Sequence, residues 1–283
     1  MSPRQPRDKR RSSAQVRLGD RDAALLRALN RFRIARTSDL AEFAFAGVRP
    51  DTAARRLRRL FDGGWVDVRA GDRAEQNLYQ IGPNGKRWLI SQGEVSGRSP
   101  RGGIAHHLAI VRAWLDLAVV THELPGVALN LFRPDWEIRE RVAAGHETVV
   151  PDGLAMLQVG SAADALILRT AVEVDLGTEP LSVLRRKLCG YTAAEGAGGV
   201  FGWKNLGIAT YLPGVSVRRR DSIERLLGQA WPGWYLVWSE RAELRESVYQ
   251  LVDGLFASPH ELPLPQGDRD RRNSLESRRL ASQ

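Results

Sequence analysis

The sequence predicts a mixed α/β (α+β) chain in two parts. A helical module closed by a β-hairpin comes first, and a larger domain of strands and helices follows. Three observations carry this prediction. Apolar residues recur at helical spacing between Asp20 and Phe61 and give way to two short strands, Trp65–Val68 and Asn77–Ile81. The stretch from Val149 to Tyr191 reads as strand, turn, strand and helix. Between them, Ser91–Gly103 is rich in Gly, Ser and Pro, which marks a linker. The expected boundaries are a basic disordered arm over 1–16, a first domain over 17–91, a linker over 92–103, a second domain over 104–257 and a polar tail over 258–283.

Length and charge bound the function. At 283 residues, two domains can each bury a core without staples. The chain carries a net charge of +9 with 42 Lys and Arg against 33 Asp and Glu. Residues 1–100 hold 21 basic and 11 acidic side chains, so the excess lies wholly in the first third. Such a lopsided basic module is the footprint of a polyanion partner. The single cysteine, Cys189, excludes an internal disulfide framework and points to a reduced, cytoplasmic setting with the thiol used in packing. No apolar run is expected to reach the length of a membrane span. There is no internal repeat, P-loop, zinc-binding Cys/His spacing or nucleophile elbow.

Each element of the first module has a local cause. Leu25, Leu26, Leu29 and Phe32 lie on one side of a helix from Asp20. Thr37 and Ser38 suit the start of a short second helix, which Gly47 breaks. Pro50 opens a third helix and Gly63-Gly64 ends it. Helix, helix, helix, hairpin is the order of a winged helix-turn-helix. On the third helix Ala53, Leu57, Leu60 and Phe61 form the buried stripe, and Thr52, Arg55, Arg56, Arg58 and Arg59 fall off it. Arginine forks there suit phosphates, or guanine O6 and N7 in the major groove. Arg69 and Arg73 on the hairpin would reach an adjacent backbone, so double-stranded DNA is the expected partner.

The second domain opens with a helix from Ile104, followed by a strand near Val127–Arg139. Next comes a hairpin, Val149–Val159 and Ala165–Val174, about the turn Gly160–Asp164. If residue 160 faces residue 165, facing residues sum to 325 and Asp152 faces Glu173. Directly opposed side chains share a face at roughly 4.5–5.5 Å between Cβ atoms. Asp175, two residues on, points the same way by strand alternation. Three carboxylates on one apolar patch call for a counter-charge, and Mg²⁺ or Mn²⁺ would serve. The helix after Pro180 buries Leu181, Leu184, Leu188 and Tyr191 and sets Lys187 two turns in, within reach of the hairpin. His106, His107 and Asp116 on the opening helix are accessory candidates. So are Asp135 and Glu137 on the strand, and Glu179. Further strands over Asn205–Leu212 and from Trp234, with helices between and after, complete the domain.

Those residues resemble the core of the PD-(D/E)xK nuclease superfamily, in which an Asp after a Pro and a D/E-x-K on the next strand hold Mg²⁺ and activate water. Pro151-Asp152 matches the first element and Glu173-Val174-Asp175 the second. Asp175 stands at the lysine position, and Lys187 takes the place of a lysine migrated to the following helix. From about Asp20 to Phe256 the order of parts resembles the replication-relaxation family, found largely on plasmids and integrative elements. The resemblance rests on the winged helix and on the helix beginning at His106-His107-Leu108. It rests further on the series Pro151, Asp152, Gly153, Glu173, Asp175, Gly177, Thr178, Glu179, Lys187 and Tyr191. It implies a restriction-endonuclease-like second domain and catalysis by Asp152, Glu173 and Lys187. The implied metal ligands are Asp152, Glu173 and Asp175, with Tyr191 accessory and relaxase or replication proteins as partners. The alternative is a non-enzymatic winged-helix DNA binder, a regulator or accessory, whose second domain is an interaction scaffold.

Overall fold

A computed structural model describes residues 16–69, 77–94, 103–142, 149–160, 165–196, 203 and 205–257. The chain divides into two compact units, with the boundary after Leu115. That boundary falls inside a helix rather than at the expected linker, most of which lies outside the described residues. The expected arm and tail also lie outside them, except that Val16 is buried in the core of the first unit.

The first unit contains α1 (Asp20–Phe32), β1 (Ala35–Arg36), α2 (Thr37–Phe45), α3 (Pro50–Asp62), β2 (Val66–Arg69), β3 (Leu78–Ile81) and α4 (Pro83–Ser91). Leu25, Leu26 and Leu29 of α1, Leu40 and Phe45 of α2 and Leu57, Leu60 and Phe61 of α3 meet in one core, which the 3.6-residue period of each helix dictates. The hairpin pairs Val66 with Ile81 through Arg69 with Leu78, and β1 adds Ala35 opposite Tyr79. Among the described residues the sheet order is β1-β3-β2.

Helix α5 (Ile104–Glu123) begins in the first unit and ends in the second. Contrary to expectation, it is long and apolar enough to cross a membrane by length and composition. Most of that apolar stretch is instead buried within the protein, and the polar groups inside it are bonded there.

The second unit continues with β4 (Val127–Pro134), α6 (Asp135–Val142), β5 (Gly153–Val159), β6 (Leu166–Val174), α7 (Leu181–Gly196), β7 (Gly207–Tyr211), α8 (Val217–Ala230), β8 (Tyr235–Trp238) and α9 (Arg241–Ala257). The strand expected to run to Arg139 stops at Pro134. The following DWEIRERV segment is a helix carrying an Asp135–Arg139 ion pair at 3.1 Å one turn apart. Asp135 and Glu137 are therefore helical. Among the described residues the sheet order is β4-β5-β6-β7-β8, antiparallel from β4 to β6 and parallel from β6 to β8. This is a mixed α/β architecture. Helices α7 and α8 make the two parallel crossovers and cover one sheet face through Leu184, Leu188, Tyr191, Ile223, Leu226 and Leu227. Strand β7, between two parallel neighbours, is buried along its whole length.

Candidate functional site

The β5–β6 pairing runs from Gly153 opposite Val172 to Val159 opposite Leu166, so facing residues sum to 325 as the turn predicts. One step beyond the last pair, Asp152 stands across from Glu173. Ala171 belongs to the core under α7 and α8, and by strand alternation Glu173 shares that face. Two close approaches shape the spot. A Cβ on Gly153 would lie 2.8 Å from the Phe132 ring, so only glycine fits beside Asp152. A Cβ on Gly190 would lie 2.0 Å from Val149 Cγ2, so its absence lets α7 sit down on the chain that leads into Asp152.

The helix seats two donors on one carboxylate. Lys187 and Tyr191 are four residues apart and so lie on the same side of α7. The Lys187 ammonium donates to Glu173 Oε2 at 2.5 Å, and the Tyr191 hydroxyl donates to Glu173 Oε1. Lys187 Nζ also lies 3.8 Å from Asp152 Oδ1, while Asp152 Oδ2 accepts the Val174 N–H at 2.8 Å. Glu173 is 3% exposed and Asp152 6% exposed. Tyr191 is fully buried, with its ring edge-on to Trp231 at 6.4 Å.

Burial is the largest influence on Glu173, and the neighbouring Asp152 charge adds to it. Together they push its pKa to about 7 against the donors on α7. Burial disfavours the Lys187 cation, but Glu173 and Asp152 outweigh it and hold the ammonium charged well past neutrality. Burial, then the Glu173 charge, push the Tyr191 phenol well above its ordinary value, so it stays a neutral donor.

Asp175 is not part of this group. Strand β6 ends at Val174, and the Asp175 carboxylate is drawn to Arg219 of α8, with Nη2 at 2.5 Å and Nε at 3.2 Å. Its other oxygen accepts the Gly177 N–H, and the same guanidinium donates to the Glu179 carbonyl at 2.6 Å. The expected third metal ligand is instead the pin of the β6–α7 connection. The Glu179 side chain is exposed. Arg219 carries no local signal in the sequence, since its partner is 44 residues away.

Other expected residues have different work. Asp116, 1% exposed, takes both Nε and Nη2 of Arg241, at 3.0 and 2.9 Å, and is a structural ion pair rather than an additional site acid. His107 is buried and donates through Nε2 to the Phe32 carbonyl. His106 is half-buried, and both histidines belong to the first unit. Cys189, expected to pack, is exposed: it follows Leu188 by 100° and so turns off the buried stripe.

No group of three or more His, Cys, Asp or Glu side chains gathers among the described residues. Mg²⁺ needs only one or two carboxylates, with water and phosphate completing its octahedron. Asp152 and Glu173 are a hard-oxygen pair of that kind, and their buried negative charge already attracts a cation, so the donor set fits Mg²⁺ or Mn²⁺.

On α3 of the first unit the arginines divide. Arg55, Arg59 and Thr52 are exposed, as is Arg69 at the end of β2. Arg56, expected to face outward, bonds both oxygens of buried Asp22 and the Arg17 carbonyl. Arg58 pairs with Asp62 at 3.0 Å and lies over the Phe61 ring. Arg73 lies outside the described residues.

Two solved structures of the restriction endonuclease FokI are similar to this chain, each at 12% sequence identity. The first matches with a TM-score of 0.32 over 82% of this chain and 44% of that one. The second, of FokI bound to DNA, matches with a TM-score of 0.29 over 85% and 45%. The chain thus spans less than half the length of either structure. No curated protein matches it in sequence. A model of the replication-relaxation family matches residues 26–205, well over half of the chain and including the whole Asp152–Glu173–Lys187–Tyr191 group. The chain belongs to the replication-relaxation family.

Proposed function

We propose that this protein binds double-stranded DNA and processes it in the replication or relaxation of a plasmid or mobile element. The first unit acts as a winged helix-turn-helix. Its α3 presents Arg55, Arg59 and Thr52 to the duplex, and Arg69 meets the flanking backbone. The second unit carries a metal-dependent, nuclease-like site formed by Asp152, Glu173 and Lys187. The observation that carries this reading is the convergence of two buried carboxylates from adjacent strands with one ammonium from the following helix.

Asp152 and Glu173 are the residues to hold Mg²⁺ or Mn²⁺, which supplies Lewis-acid polarisation of a phosphoryl oxygen when bound. Lys187 offers a point charge to the phosphate and stabilises negative charge that develops on it. Tyr191 fixes the orientation of Glu173, and the Arg219–Asp175 pin fixes the start of the helix that carries both donors.

A second reading has its own support. Both Glu173 oxygens are already satisfied by Lys187 and Tyr191, and no third acid joins the pair among the described residues. The second unit would then be a nuclease-like interaction domain for a relaxase or replication protein, and the chain a non-enzymatic DNA binder.

Incubation with supercoiled plasmid and Mg²⁺ or Mn²⁺ separates the two. Nicked or linear product from wild type but not from Asp152→Ala supports the enzyme. Intact plasmid with a retained gel shift supports the binder. If the full chain neither shifts nor cuts duplex DNA, both readings fail.

A further inference from the structure

We propose that Lys187 and a divalent cation are alternative occupants of the Asp152–Glu173 pair, so that metal enters only once a nucleic-acid phosphate draws the ammonium away. This deepens the nuclease-like reading above and rests on it.

The geometry provides for one cation. Lys187 Nζ donates to Glu173 Oε2 and lies 3.8 Å from Asp152 Oδ1, so the ammonium bridges the two carboxylates a metal would use. Glu173 Oε1 is held by Tyr191 and Asp152 Oδ2 by the Val174 N–H. The ammonium stands where a metal would have to sit to reach Glu173 Oε2 and Asp152 Oδ1 together, and two cations that close repel each other strongly between carboxylates 3% and 6% exposed. The two cations therefore exclude one another.

The ammonium has somewhere to go. Its side chain is 28% exposed, and its four-carbon stem turns freely. It leaves Glu173 only for another anion, and a phosphate of the bound backbone is the acceptor the proposed function brings to this place. Tyr191 does not depend on that exchange, so Glu173 keeps its orientation while Lys187 moves.

The test measures Mn²⁺ binding to the full chain by the loss of free-ion electron paramagnetic resonance signal at pH 7.5. It is run with and without a short duplex, and the duplex alone is subtracted. Lys187→Met keeps most of the stem and removes the charge, and Lys187→Gln is the second variant. Both should bind Mn²⁺ at least about tenfold more tightly than wild type without DNA, a difference of about 1.4 kcal/mol. Duplex should tighten wild type by a similar factor and the variants little. Adding Asp152→Asn to either variant should abolish the gain, which locates it at this pair.

Wild type gives an independent reading. The chain has four lysines, so the ion-paired Lys187 ammonium can be resolved by nitrogen-detected nuclear magnetic resonance. Its signal should persist with Mg²⁺ alone and move only with Mg²⁺ and duplex together. Equal or weaker Mn²⁺ affinity in both Lys187 variants overturns the proposal, as does a Lys187 signal displaced by Mg²⁺ alone. If wild type still cleaves plasmid in that case, only the exchange is wrong. Absence of Mn²⁺ binding in every variant, with and without duplex, overturns the exchange and the metal-dependent reading together.

Discussion

Replacing Arg56 with Ala should damage the fold of the first unit and spare its DNA contacts. In the structure Arg56 Nε donates to Asp22 Oδ1 at 2.8 Å, Nη2 donates to Asp22 Oδ2, and Nη2 also reaches the Arg17 carbonyl at 2.9 Å. Asp22 is 4% exposed, so removing the guanidinium strands most of a buried charge. Breaking a buried pair by deleting one partner costs about 3–5 kcal/mol. Two features lower that figure here. The Arg56 side chain is 23% exposed, and Asp22 keeps its bond from the Gly19 N–H at 2.8 Å. A loss of about 2–3 kcal/mol is expected, which in a unit of this size lowers its melting temperature by roughly 10 °C or more.

Arg55→Ala and Arg59→Ala should do the reverse. Their exposed positions predict a stability change within about 0.5 kcal/mol. DNA affinity should fall by about 1–3 kcal/mol for each arginine that reads a base, and by less for a phosphate contact. Calorimetry of the full chain and fluorescence anisotropy with a duplex, measured well below the melting range, check both halves. If Arg56→Ala melts within 2 °C of wild type and loses as much DNA affinity as Arg55→Ala, the inward role of Arg56 is refuted.

Salt should act on DNA binding through the first third of the chain. If about five phosphates are neutralised there, log K should fall with log salt at a slope near −4 to −5, and equal affinity from residues 104–283 alone would contradict this. Glu173 sets a pH window of its own. Its pKa rises on folding from about 4.5 to about 7, so its contribution to stability is full below the lower value and lost as pH rises through the upper. Urea unfolding should show wild type losing stability between about pH 4.5 and 7 relative to Glu173→Gln, and parallel behaviour of the two proteins would count against it. Asp175→Asn should lower thermal stability yet leave Mn²⁺ affinity in the presence of duplex within about twofold, because Asp175 pins a connection rather than a metal; loss of Mn²⁺ binding would restore it as a ligand. Gly190→Ala should cost about 1–3 kcal/mol by forcing α7 off Val149, read as a lower unfolding midpoint, and an unchanged midpoint would show that the contact yields freely.

The sequence by itself determined whatever depends on short-range periodicity. The helices α1, α3 and α7 bury the stripes their spacing dictates, because 3.6 residues per turn leaves one apolar face that must find cover. The hairpin register followed from its turn. Once the turn region around Gly160 sets which residues face each other, the pleat assigns every later pair, including Asp152 across from Glu173. The family series marked Lys187 and Tyr191, and α7 brings both to Glu173. Tertiary structure decided which charge meets which. Asp175 went to Arg219, 44 residues on, Arg56 to Asp22, 34 residues back, and Asp116 to Arg241, 125 residues on. A charged side chain on a helix or at a strand end is compatible with any opposite charge that other elements deliver, and no local pattern says which one arrives.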